Sequence, residues 1–253
     1  MWDTFIVSPM TNLLLLIYNL IGQNFGIAII LFTILVRAIT WPLTAQQLKG
    51  TAGMQELQSD KEWLAIQKKY KNDKEKLAQE QMRIYKERGI NPFGSCLPTL
   101  IQFPIIIGLY QAIIRSLAAT PLSLLDLSRR LYPFLDVTKV IPINSSFGWM
   151  DLGRPESLNI LGFAVPTLAV IVVITSYIQS KLMTPPSNPG SNDQSAAMSN
   201  MMSIYMPFLM GYFAMTFASG LALYFITSNV LGIAQYQMMG KANWSNLIPG
   251  RKK

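Results

Sequence analysis

The residue with the clearest chemical demand in this chain is an arginine. Arg37 lies in the stretch ILFTILVRAITWPL, inside an apolar run over 26–48 and about eleven positions from either end of it. A charge at mid-depth in hydrocarbon costs at least about 2.5–3.5 kcal/mol on insertion scales, and arginine does not escape by losing its proton. It needs a carboxylate, backbone carbonyls or water. The apolar stretches of the chain contain no Asp or Glu, so a salt bridge among them is excluded and a water-filled cavity becomes the best remaining explanation. Thr33, Thr40 and Thr44 stand at i−4, i+3 and i+7 from Arg37, on one helix face. Thr99, Gln102 and Tyr110 supply polar groups in a second apolar stretch, and Tyr224, Ser228 and Gln235 recur at helical spacing in the last. Together these stripes can line one hydrated pocket around a lone positive charge. Individually, Ser, Thr and Gln also serve simply to bond packed membrane helices to one another. A second signal is a crowd of methionines, Met198, Met201, Met202, Met206, Met210 and Met215. Methionine offers a soft, adaptable binding surface, and equally a plain packing one.

Composition removes most other chemistry. The 253 residues contain no histidine, which excludes His-based triads, His metal sites and His acid–base catalysis together. The lone Cys96 forms no internal disulfide or four-cysteine metal site. No Gly-Lys-Ser/Thr phosphate loop occurs. These absences predict a protein that is not an enzyme and carries no cofactor. Apolar residues make up 51% and charged residues 13%, about half the globular norm of roughly 25%, too few charges to cover a soluble surface. The formal charge, 21 − 13 = +8, belongs to a basic soluble part.

The elements that must position Arg37 follow from length. A spanning helix needs about 20 mostly apolar residues. Stretches at 26–48, 96–117, 158–183 and 201–239 qualify, the last long enough for two crossings broken near Ala218, with Ser219-Gly220 supplying the turn. The expected fold is all-α, a polytopic membrane protein with five transmembrane helices. Residues 1–25 read as an interfacial helix, since the unbroken apolar core is only Leu13 to Tyr18; with no Lys or Arg before Arg37, they do not read as a signal peptide. Residues 49–95 form a charged helical hairpin, broken at Tyr70-Lys71-Asn72-Asp73 into arms of about 20 residues, with charge 10 − 7 = +3. That charge favours an anionic partner such as lipid headgroups or RNA, and is equally that of a solvated hairpin with no ligand. Residues 118–157 are a loop with four prolines, 184–200 a polar linker, and 240–253 a basic tail. Ten Lys/Arg in 49–95, Lys181 and the four of the tail fall on one side, against four in 118–157 and Arg115 on the other. The positive-inside rule then puts the hairpin and C-terminus in the cytoplasm and the N-terminus outside.

Four stretches taken together resemble the YidC/Oxa/Alb membrane-protein insertases: FIVSPM, GIAIILFTILVRAITWPLTAQQ, INPFGSCLPTLIQFPIIIGLYQAI and SIYMPFLMGYFAMTFASGLALYFITSNVLGIAQYQ. The resemblance covers nearly the whole chain and matches the five-span core of that family. It implies a membrane insertase or chaperone with a hydrophilic groove open to cytoplasm and lipid, holding Arg37, with Thr33, Gln102 and Tyr224 along the client path. It also implies an apolar slide on the helix of Met202, Met206 and Met210. Phe225 stands where some relatives carry a second tyrosine. Implied partners are nascent membrane proteins, with ribosome, signal-recognition components and the Sec translocon as candidates and anionic lipids around them. The implied location is a bacterial plasma (inner) membrane. The rival class from the residues alone is a small transporter or anion channel using Arg37 as counter-ion. Against it, the spans hold no acidic coupling residue and the halves show no repeat.

Overall fold

The computed structural model describes residues 1–58, 60–70, 73–89, 97–117, 120–133, 135–136, 140, 142–160, 163–183, 194–240 and 244. It is mostly helical, in two units: Met1–Ala38 with Ile105–Thr184 and Ser199–Lys253, and Ile39–Pro104 with Pro185–Met198.

The larger unit begins with a π-helical turn, Asp3–Val7, running into α1, Ser8–Leu20. α1 buries Leu14, Leu15 and Tyr18 in the core, so the expected interfacial helix also packs inward, while Phe5 and Leu20 stay exposed. Helix α2, Phe25–Gln58, starts in this unit and adds Phe25, Ala28, Ile29 and Phe32 to the same core. Helix α5, Leu97–Ser116, adds Leu109 and Ile113. At Gly108 a Cβ would lie 2.7 Å from both Ile6 Cγ2 and Met10 Sδ, so the N-terminal segment reaches α5 because that position is glycine. A short helix α6, Pro121–Arg130, follows.

Two antiparallel ladders, β1 (Ser146–Phe147) with β2 (Met150–Asp151) and β3 (Leu158–Ile160) with β4 (Phe163–Val165), precede α7, Thr167–Met183. The helical part of the 158–183 stretch therefore starts only after Pro166. Glu156 fixes that start: its carboxylate accepts from Thr167 Oγ1 (2.7 Å) and from the backbone N–H of Leu168 (3.1 Å). Helices α8, Gln194–Thr216, and α9, Ser219–Met238, are separated by Phe217-Ala218. Ser219 and Gly220, expected to make the turn, instead open α9, and their N–H groups donate to the carbonyls of Arg154 (2.9 Å) and Leu152 (3.0 Å). Two of the orphan donors of this helix N-terminus are thereby satisfied by the loop.

Among the described residues one helix is long and apolar enough to cross a membrane, Phe25–Gln46, with mean hydropathy 2.0. Phe103–Ser116 passes only together with α6, from which it is bent by 118°, and Thr167–Leu182 and Ile204–Thr216 are shorter apolar helices.

The smaller unit contains α3, Lys61–Lys69, and α4, Lys74–Glu87. Its core is Leu57, Trp63 and Ile84, with the rings of Trp63 and Tyr85 5.2 Å apart. α3 ends at Lys69 and α4 begins at Lys74, and residues 71–72 of the expected break lie outside the described residues. The first arm is also divided at Asp60, whose carboxylate accepts from the Glu62 N–H at 2.8 Å and caps α3. Arg83 binds Glu80 (2.7 Å) and Glu87 (2.6 Å) within α4 and reaches Glu62 of α3 at 3.5 Å. Its guanidinium is held more firmly charged by the two carboxylates of its own helix.

Candidate functional site

α2 carries Arg37 on the face that meets α9. The guanidinium donates from Nε to Ser228 Oγ at 2.9 Å, and from Nη2 to Ser228 Oγ at 2.5 Å and to the Ser228 carbonyl at 2.9 Å. Arg37 is half-buried and Ser228 is buried. One serine thus answers the arginine with both its hydroxyl and its main-chain oxygen. The carbonyl contact is the kind of backbone partner that an arginine inside an apolar bundle requires.

Gly232, one turn beyond Ser228, shapes the space beside it. A Cβ at Gly232 would collide with the Gln179 side-chain amide of α7 and lie 3.7 Å from Arg37 Nη2. The missing side chain admits the amide of Gln179 against α9 at that position. On the neighbouring face of α9, Asn229 Nδ2 donates to Thr175 Oγ1 (3.0 Å) and Ser176 Oγ (2.8 Å) of α7. Further along, Gln235 is buried, and its Nε2 has no hydrogen-bond partner among the described residues. The polar interior is therefore built by α2, α7 and α9.

Of the residues expected at such a site, Arg37 and Ser228 are brought into direct contact. Tyr224 is buried one turn before Ser228, against Phe225 with ring centroids 5.8 Å apart. Thr33 is fully buried, and its hydroxyl donates to the Ile29 carbonyl of its own helix at 2.6 Å. Thr44 likewise donates to the Thr40 carbonyl at 3.0 Å, and both belong to the smaller unit. Tyr110 packs on Phe217, with centroids 4.7 Å apart. The side chains of Thr99, Gln102 and Met202 lie outside the described residues. Met206 and Met210 are half-buried, and Met210 packs against the core. The most exposed side chains described on α8 are aromatic, Tyr205, Phe208 and Tyr212, each more than 60% exposed, with Met215 and Ile204 at 53% and 51%. Gln179, Gly232 and Asn229 were not singled out from sequence; a glycine one turn after Ser228 on the same face was the available signal.

A helical bundle with a cationic centre bonded across two helices is the class of protein that this geometry defines. The family model described as "60Kd inner membrane protein" matches residues 16–245. The chain is 33% identical over 236 residues to the membrane protein insertase MisCA of Bacillus subtilis, covering 92% of this chain and 77% of that one. It is 34% identical to the inner membrane protein ALBINO3, chloroplastic, of Arabidopsis thaliana, over 86% of this chain and 46% of the relative. A crystal structure of an active YidC insertase, with its first transmembrane domain resolved, is 28% identical with a TM-score of 0.55. That match covers 92% of this chain and 45% of the crystallised one. The chain belongs to the 60Kd inner membrane protein family, and its bacterial relatives include proteins named as membrane protein insertases.

Proposed function

We propose that the protein is a membrane protein insertase or chaperone. It moves short polar segments of client proteins through a hydrated groove and releases their apolar helices sideways into lipid. The observation that carries the reading is Arg37, a positive charge inside an apolar bundle, held by the hydroxyl and main-chain carbonyl of Ser228 of α9. The insertase names of the bacterial relatives and of the similar solved structure support it. A client segment crossing hydrocarbon must keep its backbone hydrogen-bonded, and a half-depth cavity with a fixed cation shortens the crossing and attracts acidic residues. Burial of the client helix and the membrane potential supply the work.

In this reading five helices cross a bacterial inner membrane, the N-terminus is outside, and the hairpin and C-terminus are cytoplasmic. Thr33, Thr40, Thr44, Gln102 and Tyr224 are groove-side residues with Arg37 and Ser228. The α8 helix is the apolar slide, and its open face points to Tyr205, Phe208 and Tyr212 as contacts beside the methionines. The clients are nascent membrane proteins. Ribosome, signal-recognition components, Sec translocon and anionic lipids are the partners to be tried.

The test compares Arg37→Ala and Arg37→Lys in proteoliposomes, using a single-span client with an acidic outer tail. Arg37→Ala is expected to lower insertion severalfold while Arg37→Lys retains much of it. Equal insertion by Arg37→Ala and the parent at matched protein levels removes the charge-attraction mechanism. An anion flux through the same vesicles, abolished by Arg37→Ala, would favour a channel instead.

A further inference from the structure

Helix α6 carries an apolar face that the bundle does not cover. Thr120 caps it, with the Thr120 hydroxyl accepting from the Ser123 N–H (3.2 Å) and Ser123 Oγ accepting from the Thr120 N–H (3.0 Å). Leu124, Leu127 and Leu131 turn onto the core. Leu122 and Leu125, 78% and 49% exposed, point the other way, and Arg129, four residues after Leu125, continues their face.

That face is not free to roll inward. Asn12 of α1 donates from Nδ2 to the Arg130 carbonyl (3.1 Å) and accepts at Oδ1 from the Tyr132 N–H (2.7 Å). Asp3 accepts from Arg115, at the end of α5, at 2.7 Å and from Arg130 at 3.5 Å. The hydrogen bond from Arg115 holds the Asp3 carboxyl below the usual carboxylate range, so the fastening is charged at neutral pH. The helix is turned by 118° from Phe103–Ser116. If α5 crosses the bilayer, α6 lies near the membrane plane at the level where α5 ends.

The geometry points to α6 as a lipid-seated helix: Leu122 and Leu125 enter the acyl region of the adjoining leaflet, and Arg129 reaches the phosphate of a phospholipid headgroup. Apolar residues followed by a cation at one end of an exposed helix face are what the headgroup–acyl boundary selects. A second copy of the chain fits less well, because two leucines and an arginine fall far short of the roughly 800 Å² per partner of a stable interface. The inference rests on the membrane placement of α5 and not on the groove.

The test uses a Cys96→Ser background with an environment-sensitive fluorophore (NBD) at Leu122→Cys or at Arg154→Cys, whose parent side chain is 85% exposed. Each is placed in phosphatidylglycerol–phosphatidylcholine vesicles. The Leu122→Cys probe is expected to be blue-shifted and quenched several-fold more by lipids spin-labelled near the headgroup than by those labelled at the chain end. The Arg154→Cys probe is expected to answer mainly to aqueous iodide. Equal iodide access for the two probes overturns the proposal. So does a blue-shifted Leu122→Cys probe that no lipid label quenches, which would mean protein covers the face. With Arg129→Gln added, lipid quenching is expected to weaken, and an unchanged profile removes the phosphate contact. Client insertion in the same vesicles reads the groove separately, so the failure of either reading is distinguishable from failure of the other.

Discussion

At the scale of single residues, the decisive pair is Arg37 and Ser228, because the serine meets the guanidinium with two different oxygens. Ser228→Ala removes only the hydroxyl; the main-chain contact survives. The expected loss of stability is about 1–2 kcal/mol, between the usual value for a hydrogen bond to a charged group and the smaller values measured between membrane helices. Reversible unfolding in detergent micelles checks it. Insertion should fall less than in Arg37→Ala, since the charge remains in place. Both residues were legible in the sequence, the arginine by its cost in hydrocarbon and the serine by its place in a polar stripe. Gln179 was not. Nothing local to α7 says that its amide meets α9, because that contact exists only where Gly232 lacks a side chain. Thr33 carries the opposite lesson. It shares the face of Arg37, yet its hydroxyl donates to its own helix, as mid-helix threonines commonly do.

At the scale of elements, the starts and ends of helices depend on side chains that an apolar profile does not register. The stretch over 158–183 reads as one span by composition, but Pro166 and the Glu156 carboxylate place the helix start at Thr167. Glu156→Ala should cost about 1 kcal/mol, as loss of a helix cap usually does, and Glu156→Gln should recover part of it by keeping an acceptor oxygen. Thermal unfolding of both variants at neutral pH separates the cap from general surface effects. In the small unit the buried core among the described residues is Leu57, Trp63 and Ile84, with Trp63 its largest side chain, so local stability depends on Trp63. Trp63→Ala is expected to remove about 3–5 kcal/mol, enough to open α3 and α4 to hydrogen exchange while α1 stays protected. Trp63→Phe should be far milder: it keeps a ring against Tyr85 and deletes an indole N–H that is buried without a partner among the described residues.

At the scale of the whole molecule, the proposed orientation in the membrane rests on the sign and position of charge. Family and helical class were legible because they rest on long apolar runs and on motifs in order, both properties of sequence. The small ladders of 146–165 were not, since two- and three-residue strands have too few positions for alternation to register. The packing of α1 into the core was missed for another reason: an amphipathic helix buries its apolar face equally well in protein or in lipid. The proposed orientation rests on a separate asymmetry, ten Lys/Arg in 49–95 against four in 118–157. Translocating the 49–95 segment would carry its basic residues across the bilayer against the membrane potential, at about 2.3 kcal/mol per charge per 100 mV; translocating 118–157 carries fewer. A single cysteine at Lys68 in a Cys96→Ser chain should therefore resist a membrane-impermeant maleimide in right-side-out vesicles and react once they are permeabilised. A cysteine at Arg154 should react without permeabilisation. The reverse pattern would invert the proposed topology and put the opening of the proposed groove on the wrong side for clients emerging from cytoplasmic ribosomes.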